Sequence, residues 1–160
     1  HSFVRTRMLE SGALFGAEVS GHYFYRELDG GDDAFYTACR LIDHLAQTGR
    51  PLSELRRVFP DVYLTPDLRV WVDPEDQPAV LEQVRSAWPD HPQTAVDGVR
   101  VQFPDGWALV RSSVTEPAMT FRFEASSLQG LYELVWRFCD ALPDRGDSLW
   151  ARYEEVMGGA

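Results

Sequence analysis

The sequence predicts an α+β protein, in which a partial α/β domain precedes a C-terminal domain with a mainly antiparallel four-stranded sheet and helices on one face. The second half of the 160-residue chain contains short alternating strands joined by tight turns. Amphipathic helical segments stand before and after these strands. The N-terminal segment has few strands, and several prolines separate it from the rest. Helices that cover one face of an antiparallel sheet form an α+β layer.

Two helices and one strand are predicted near the N-terminus. The first helix covers residues 2–11 and ends at Gly12, and a short apolar strand then leads into a glycine-containing loop. The second helix begins after Asp32 and Asp33 and ends at Gly49. Its apolar face consists of Phe35, Ala38, Cys39, Ile42, Leu45 and Ala46. Because so few strands can cover this face, we expect self-association or packing against the C-terminal domain.

Three prolines mark a boundary after the second helix. Pro51, Pro60 and Pro66 surround one short amphipathic turn, and no long periodic segment is present there. We therefore predict four parts of the chain. They are the partial α/β domain (1–58), a linker (59–66), the C-terminal domain (67–143) and an appended helix or tail (144–160).

The C-terminal domain contains the most regular patterns. Its predicted strands cover residues 68–73, 94–96, 99–103, 107–113 and 118–125. In the last of them, Met119, Phe121 and Phe123 alternate with polar residues, which indicates one buried face. A helix from about Pro74 to Trp88 and a closing helix with an apolar stripe from Leu128 to Leu142 are predicted to cover that face.

Charge and composition restrict the classes of partner. The formal net charge is -10, and all 15 basic residues are Arg. Such a surface repels nucleic acid, although clustered guanidinium groups can still bind a small phosphorylated ligand. No apolar run approaches the roughly 18 residues of a membrane span, and no signal peptide is recognisable. We expect a cytoplasmic protein that binds neither nucleic acid nor a membrane, with Cys39 and Cys139 as buried free thiols on apolar helix faces.

One turn carries a concentration of hydrogen-bond donors. Arg111 ends a predicted strand, and Ser112, Ser113 and Thr115 follow it. A guanidinium group, hydroxyl groups and backbone N–H groups in such a turn can surround a tetrahedral oxyanion such as phosphate. The alternative is a β-hairpin turn in which the hydroxyls cap backbone groups and Arg111 is solvated.

Three stretches resemble a single protein family, in the family's order. The run DGVRVQFPDGWALVRSSVTEPAMTFRFEA is similar to the C-terminal domain of the α-D-phosphohexomutases, whose phosphate-binding loop has the form Arg-Ala-Ser-Asn-Thr-Glu-Pro. FGAEVSGHYF resembles the family's sugar-binding loop, and HSFVRTRMLESGALFG resembles the helix and strand before it. The resemblance implies the end of the third domain and the whole fourth domain of a four-domain enzyme. The fourth domain would have a fold like that of TATA-binding protein.

The resemblance also implies an activity and site residues. Family members interconvert hexose 1-phosphates and 6-phosphates through a phosphoserine and a 1,6-bisphosphate intermediate. The residues implied in sugar binding are Glu18, Ser20, His22 and His1. Those implied in clamping the phosphate that is not transferred are Arg111, Ser112, Ser113 and Thr115, with Arg122 as a further candidate. Arg122 has an alternative structural role as the partner of Glu124 or Glu116 across the sheet.

The chain departs from the family pattern in two ways. Ala17 replaces a glycine before Glu18, and Val114 replaces the usual Asn or Gly of the phosphate loop. The family's phosphoserine and magnesium loops do not occur in this sequence, and the aspartates at 29, 32 and 33 are interpreted as a turn and a helix N-terminus. We therefore expect no metal site and no activity of this chain alone. Mg²⁺ and glucose or mannose 1,6-bisphosphate would belong to the full-length parent enzyme.

Several functions remain open. The leading hypothesis is the substrate-binding portion of a phosphomannomutase/phosphoglucomutase, an isomerase of carbohydrate metabolism whose partners are a phosphohexose and the missing N-terminal domains. Apolar Val19 in the sugar loop favours glucose and mannose phosphates over those of glucosamine, although a phosphoglucosamine mutase is an alternative. A second alternative is a phosphosugar-binding or regulatory module without catalysis. A third is a domain that uses its sheet or last helix for protein contacts.

Overall fold

Two sheets organise the chain, one in each of the units His1–Pro60 and Asp61–Ala160, here called the N-terminal unit and the C-terminal unit. The computed structural model describes residues 2–113 and 115–158. A three-stranded sheet lies in the N-terminal unit and a six-stranded sheet in the C-terminal unit. Within the described ranges, no helix has the length and hydropathy needed to cross a membrane.

The N-terminal unit combines three short antiparallel strands with helices. Its elements are α1 (Ser2–Ser11), β1 (Phe15–Ala17), β2 (Tyr23–Tyr25), β3 (Gly31–Asp32), α2 (Ala34–Thr48) and α3 (Leu52–Leu55). The strand order is β1-β2-β3, with Ala17 opposite Tyr23 and Phe24 opposite Asp32. Helix α2 begins where it does because Asp33 Oδ1 accepts the Tyr36 N–H at 2.8 Å. β2 and β3 were not predicted from the sequence.

The apolar face of α2 remains open to solvent. Every residue of this helix, all of which are described, keeps part of its surface exposed. Phe35 and Ile42 are 81% and 66% exposed. The prediction that Cys39 is a buried thiol is wrong, because the helix face that carries it lacks cover in the described residues. In the same unit, Met8 and Phe24 are buried.

Six antiparallel strands form the sheet of the C-terminal unit. They are β4 (Tyr63–Leu64), β5 (Leu68–Trp71), β6 (Gln93–Thr94), β7 (Val99–Phe103), β8 (Gly106–Ser112) and β9 (Ala118–Ala125). The order is β4-β9-β8-β7-β6, and β5 pairs with β9 on the same edge as β4. The predicted mainly antiparallel sheet is confirmed. The sheet has six strands where four were expected. One of them is the short β4, inside the segment interpreted as a linker. Another is β6, which shares only Thr94 with the predicted 94–96 strand, because residues 96–98 bend.

Three helices cover one face of this sheet. They are α4 (Gln77–Ala87), α5 (Leu128–Ala141) and α6 (Gly146–Met157). The core joins alternate residues of the strands to one stripe of each helix. Phe138 of α5 stacks on Trp88 with ring centroids 4.1 Å apart and meets Phe123 of β9 edge-on at 5.1 Å. The last helix belongs to this core, since Leu149 is fully buried.

The opposite face of the sheet, here called the open face, is polar. In each long strand the residues between the core positions point to this side. The register brings together on it Arg69, Arg100, Trp107, Leu109, Arg111, Thr120 and Arg122. Antiparallel pairing of strands with one helix-covered face therefore places four arginines of an acidic chain on a single surface.

The two faces of α5 provide a matched test of this core. Leu131 is 0% exposed and Leu128 is 56% exposed on the same helix. We expect Leu131→Ala to lower the free energy of unfolding of the C-terminal unit by about 2–5 kcal/mol, because it leaves a cavity. Leu128→Ala is expected to change it by no more than about 0.5 kcal/mol. Urea unfolding followed by tryptophan fluorescence measures both values, and equal losses would contradict the burial pattern.

The uncovered face of α2 leads to a prediction about association. We expect the sedimentation coefficient of the chain to rise with concentration, because Phe35 and Ile42 leave water when two copies meet. Ile42→Asp is expected to suppress this rise. Val96→Asp, a control at a residue 80% exposed in the C-terminal unit, is expected to leave it unchanged. A concentration-independent coefficient for the unmodified chain would exclude this role of α2.

Candidate functional site

The hairpin between β1 and β2 carries the residues implied in sugar binding. The Glu18 N–H donates to the His22 carbonyl oxygen at 2.9 Å, and the Gly21 N–H donates to the Glu18 carbonyl oxygen at 3.0 Å. Gly21 has a φ of +86°, which allows this tight turn. Ser20 Oγ donates to Glu18 Oε2 at 3.2 Å, so the structure brings these two predicted sugar-binding side chains together. The turn thus gathers the side chains of the 18–22 loop at one end of the hairpin.

Ala17 stands in β1 and does not have a positive φ, so replacing the family's glycine causes no backbone strain there. His1, the fourth residue implied in sugar binding, lies outside the described residues.

His22 is held by a carboxylate that sequence reasoning did not assign to the site. Its Nδ1 lies 2.5 Å from Asp32 Oδ2, and the Tyr23 N–H donates to Asp32 Oδ1 at 3.0 Å. The hydrogen bond from His22, followed by that from Tyr23, lowers the pKa of Asp32 below its usual value. Asp32 belongs to β3, whereas Asp33 caps α2, as expected for a helix N-terminus. No local signal identifies Asp32, because only the pairing of β2 with β3 brings it to His22.

Arginine side chains brace the turns around this hairpin. Arg5 of α1 donates from Nε to the Gly30 carbonyl oxygen and from Nη2 to the Asp29 carbonyl oxygen, both at 3.0 Å. Arg26 donates from Nη1 to the Gly12 carbonyl oxygen at 2.7 Å. The first pair of bonds restrains the turn immediately before β3. The position of Asp32 is thereby tied to α1 as well as to β2.

The connection between β8 and β9 carries the residues implied in phosphate binding. Arg111 lies near the end of β8 on the open face, opposite Thr120. Ser112 is next in the same strand and therefore points to the opposite face. In the 113–117 loop, the Ser113 N–H donates to the Ala118 carbonyl oxygen at 2.9 Å, and the Thr115 N–H donates to Ser113 Oγ at 3.4 Å. Val114 lies outside the described residues.

The turn before β7 packs closely against Arg111. Gly98 has a φ of +79°, and a Cβ on it would lie 2.1 Å from the Val110 carbonyl oxygen and 2.6 Å from Arg111 Cβ. Only glycine fits this approach. The preceding Asp97 places Oδ2 3.7 Å from Arg111 Nη1. The Asp97-Gly98 pair predicts a turn in the sequence. In the structure it also supplies the acidic neighbour of Arg111, a candidate phosphate-binding residue.

Arg122 lies on the same face, diagonal to Arg111. Its Nη1 is 3.7 Å from Asp67 Oδ1, so the expected pairing with Glu124 or Glu116 is wrong. The reason is the register, in which Leu68 faces Phe121 and the preceding Asp67 therefore comes opposite Arg122. Arg122 Nε is buried and has no hydrogen-bond acceptor among the described residues.

Another arginine restrains the loop itself. Arg69 of β5 donates from Nη1 to Glu116 Oε2 at 2.9 Å, and the Val72 N–H donates to the Pro117 carbonyl oxygen at 3.1 Å. These contacts tie the second half of the 113–117 loop to the edge strand. The loop is therefore anchored on both sides of Thr115.

The remaining titratable side chains provide little further chemistry. Among the residues that the structure describes, no group of three or more His, Cys, Asp and Glu side chains could hold a metal ion. Both cysteines are free. Burial, with a smaller contribution from Asp147, raises the pKa of Cys139 to about 11, which is typical of an unreactive thiol.

Family comparisons cover nearly the whole chain. Residues 1–63 match the family model described as phosphoglucomutase/phosphomannomutase, alpha/beta/alpha domain III. Residues 68–141 match the model of the phosphoglucomutase/phosphomannomutase C-terminal domain. The two models stand in the order that the sequence motifs indicated.

Individual proteins of the same family are also similar to this chain. A phosphomannomutase/phosphoglucomutase of Pseudomonas aeruginosa is 36% identical over 93% of this chain and 33% of its own length. A probable phosphoglucosamine mutase of Methanopyrus kandleri is 35% identical over 86% of this chain and 30% of its own. A crystal structure of a phosphoglucomutase/phosphomannomutase family protein from Burkholderia thailandensis superposes with a TM-score of 0.75 at 36% identity, covering 89% of this chain and 30% of that one.

The chain thus spans about a third of the length of these relatives. Its two matched domains are the third and the C-terminal one. With both domain models matched in order and relatives above 30% identity, the chain belongs to the phosphoglucomutase/phosphomannomutase family.

Proposed function

We propose that this chain is the sugar- and phosphate-binding part of a phosphohexomutase that interconverts hexose 1-phosphates and 6-phosphates of glucose or mannose. One observation carries the proposal. On the open face, the buried Arg122 Nε–H, which lacks an acceptor among the described residues, lies diagonal to Arg111 at the loop that the family uses for phosphate. A buried donor without an acceptor is costly, and a phosphate oxygen would satisfy it.

The phosphate end would use donors from two neighbouring strands. Arg111 and Arg122 contribute guanidinium groups, and the Thr115 N–H makes only a long contact, which a ligand oxygen could replace. The Ser113 N–H is committed to strand pairing at 2.9 Å, so the Ser113 hydroxyl is the group that this residue can offer. Ser112 points to the other face and would act, if at all, through its backbone.

The sugar end would use the 18–22 loop. Glu18 accepts a hydrogen bond from Ser20, and a carboxylate has further lone pairs for vicinal hydroxyl groups. His22 of the same loop is hydrogen-bonded to Asp32 of β3. We retain His1 as a fourth candidate, on the resemblance alone.

Phosphoryl transfer itself would need groups from outside this chain. In the full-length protein we infer a phosphoserine, Mg²⁺ and a glucose or mannose 1,6-bisphosphate intermediate. No cluster of described residues suits Mg²⁺, so we assign no step through the metal to this chain. Its contribution would be to bind and orient the ligand, which alone can supply a large part of a rate enhancement.

A second candidate substrate is glucosamine phosphate. The 35% identity to a probable phosphoglucosamine mutase favours it, whereas apolar Val19 beside Glu18 favours glucose or mannose. A comparison of glucose, mannose and glucosamine 1-phosphates as ligands would separate these candidates.

Arg111 is the residue whose loss tests the phosphate site. We expect inorganic phosphate and glucose 1-phosphate to give saturable NMR shifts at Ser113 and Thr115. Arg111→Ala should raise the Kd by about 10- to 100-fold, because it removes charge-assisted hydrogen bonds. Arg85→Ala, on helix α4 and so on the other side of the sheet, serves as the control with an unchanged Kd. Equal effects of both substitutions would reject a specific phosphate site.

Turnover separates an enzyme from a binding module. We expect the full-length protein, with Mg²⁺ and a trace of glucose 1,6-bisphosphate, to convert glucose 1-phosphate into glucose 6-phosphate in a coupled assay. The 160-residue chain alone should show no turnover. Binding without turnover by the full-length protein would instead support the phosphosugar-binding or regulatory module.

A further inference from the structure

A cleft lies between α5 and α6, on the side of these helices that faces away from the sheet. Its volume is about 540 Å³, and the side chains that line it include Tyr132, Trp136, Cys139, Asp140, Asp147 and Trp150. Tyr132 and Trp136 are 45% and 53% exposed, although a Trp side chain is mostly buried on average. Helix α6 lies beyond the residues of the matched C-terminal domain, so one wall of the cleft stands outside that domain.

Two contacts between the helices fix the ends of the cleft. At one end the Gly146 backbone lies against that of Cys139, where a Cβ on Gly146 would come within 2.2 Å of the Cys139 carbonyl oxygen. At the other end the Trp150 ring meets the Tyr132 ring edge-on, with centroids 5.1 Å apart. The cleft is therefore formed by packed backbone and ring contacts before any ligand binds.

Two carboxylates give the cleft its charge. Asp140 and Asp147 are exposed, and neither makes an ion pair or a side-chain hydrogen bond with any residue that the structure describes. The arginines on and next to the two helices are engaged elsewhere, Arg137 with the Phe103 ring, Arg145 with Asp76 and Arg152 with Glu155. The thiol of Cys139 is neutral, because burial raises its pKa to about 11. A negative charge that no described arginine offsets therefore lies beside exposed aromatic rings.

The position of Asp140 is not explained by the stability of its helix. Asp140 stands in the last turn of α5, where the carbonyl end of the helix dipole disfavours a carboxylate. Asp147, in contrast, stands in the first turn of α6, where a carboxylate stabilises the helix. Residues that act against local stability are concentrated at functional sites. The placement of Asp140 therefore indicates that its carboxylate serves binding.

We propose that this cleft binds an arginine side chain of a partner protein. A guanidinium plane stacks on indole and phenol rings, and its N–H groups donate to carboxylates. The rings of Tyr132 and Trp136 supply the first kind of contact, and Asp140 and Asp147 supply the second. The helices cover the face of the sheet opposite the open face. The inference therefore goes beyond the proposed function and does not depend on the candidate phosphate site.

A second hollow beside the cleft favours a peptide segment over a small cation. It has a volume of about 580 Å³, shares Tyr132 and Trp150 with the cleft, and adds Glu154. Asp147 and Glu154 lie two turns apart on α6, which corresponds to about 10 Å along the helix axis. An extended chain covers about that distance in three residues. A segment with arginines at positions i and i+3 can therefore place one guanidinium group in each hollow.

A titration with a short cationic peptide tests the proposal directly. We expect the acetylated and amidated peptide Arg-Ala-Ala-Arg, here called the Arg peptide, to give saturable NMR shifts of the indole N–H signals of Trp136 and Trp150. The signal of Trp71, a residue of β5 that is 66% exposed, should not move. The matched peptide Gln-Ala-Ala-Gln, which lacks the charge, should shift none of the three signals. Absence of saturable shifts with the Arg peptide, or equal shifts with both peptides, overturns the proposal.

Asp140→Asn separates a binding role from a structural one. We expect it to raise the Kd of the Arg peptide by about 3- to 5-fold, the effect of one exposed ion pair. The same substitution should raise the melting temperature, because it removes a negative charge from the C-terminal end of α5. Glu133→Gln on the same helix is the control with an unchanged Kd, since Gln can still accept the hydrogen bond from Gln129. Equal increases in Kd for both variants would reduce the effect to net charge and overturn the proposal.

Trp136→Leu tests the aromatic wall of the cleft. The substitution keeps an apolar side chain and removes the ring face, so the Kd of the Arg peptide should rise by about 2- to 5-fold. Trp71→Leu should leave it unchanged, and the same result for Trp136→Leu would contradict the proposal. Saturation with inorganic phosphate should not alter the Kd of the Arg peptide. Competition between the two ligands would place the peptide outside the cleft and overturn the inference, whatever the outcome for the proposed function.

Discussion

The register of β9 determines where the candidate phosphate-binding arginines of the C-terminal unit lie. β9 pairs with β8 on one edge and with β4 and β5 on the other. Phe121 faces both Val110 and Leu68, and all three are buried under the helices. A slip of one residue would turn this apolar set to solvent, so the core enforces the register. The same register puts Arg111 and Arg122 on the open face, which means that the hydrophobic core also positions the arginines.

The acidic neighbours of the open-face arginines are compatible with the proposed phosphate site. Asp97 and Asp67 lie 3.7 Å from Arg111 and Arg122, farther than a good charge-assisted hydrogen bond. Ion pairs between partly exposed side chains contribute only about 0–1 kcal/mol. These aspartates can therefore keep the guanidinium groups over the sheet without competing strongly with a phosphate. On the proposed function, the local pattern of charge would decide which ligand is attracted, rather than the net charge of -10.

Local patterns predicted most of the fold, and non-local pairing accounts for what they missed. The helices α1, α2 and α5 and the strands β7 and β9 follow from periodicity and turn residues. Strands of two or three residues, such as β3 and β4, have no measurable period. For the same reason Asp32 looked like part of a helix N-terminus, and Arg122 was assigned the wrong acidic partners. Burial of Cys39 failed because helical amphipathicity shows which face seeks cover without showing that cover exists.

The two candidate loops offer opposite kinds of hydrogen-bonding group. The 18–22 loop presents the Glu18 carboxylate, which is an acceptor, whereas the 113–117 loop and its flanking strands present guanidinium and hydroxyl donors. A hexose phosphate carries the complementary groups, which are hydroxyl donors on the ring and acceptor oxygens on the phosphate. Guanidinium groups recognise phosphate oxygens and not the carbon that bears the ester. On the proposed function, the same arginines can therefore hold the phosphate of either isomer, which interconversion of 1- and 6-phosphates requires.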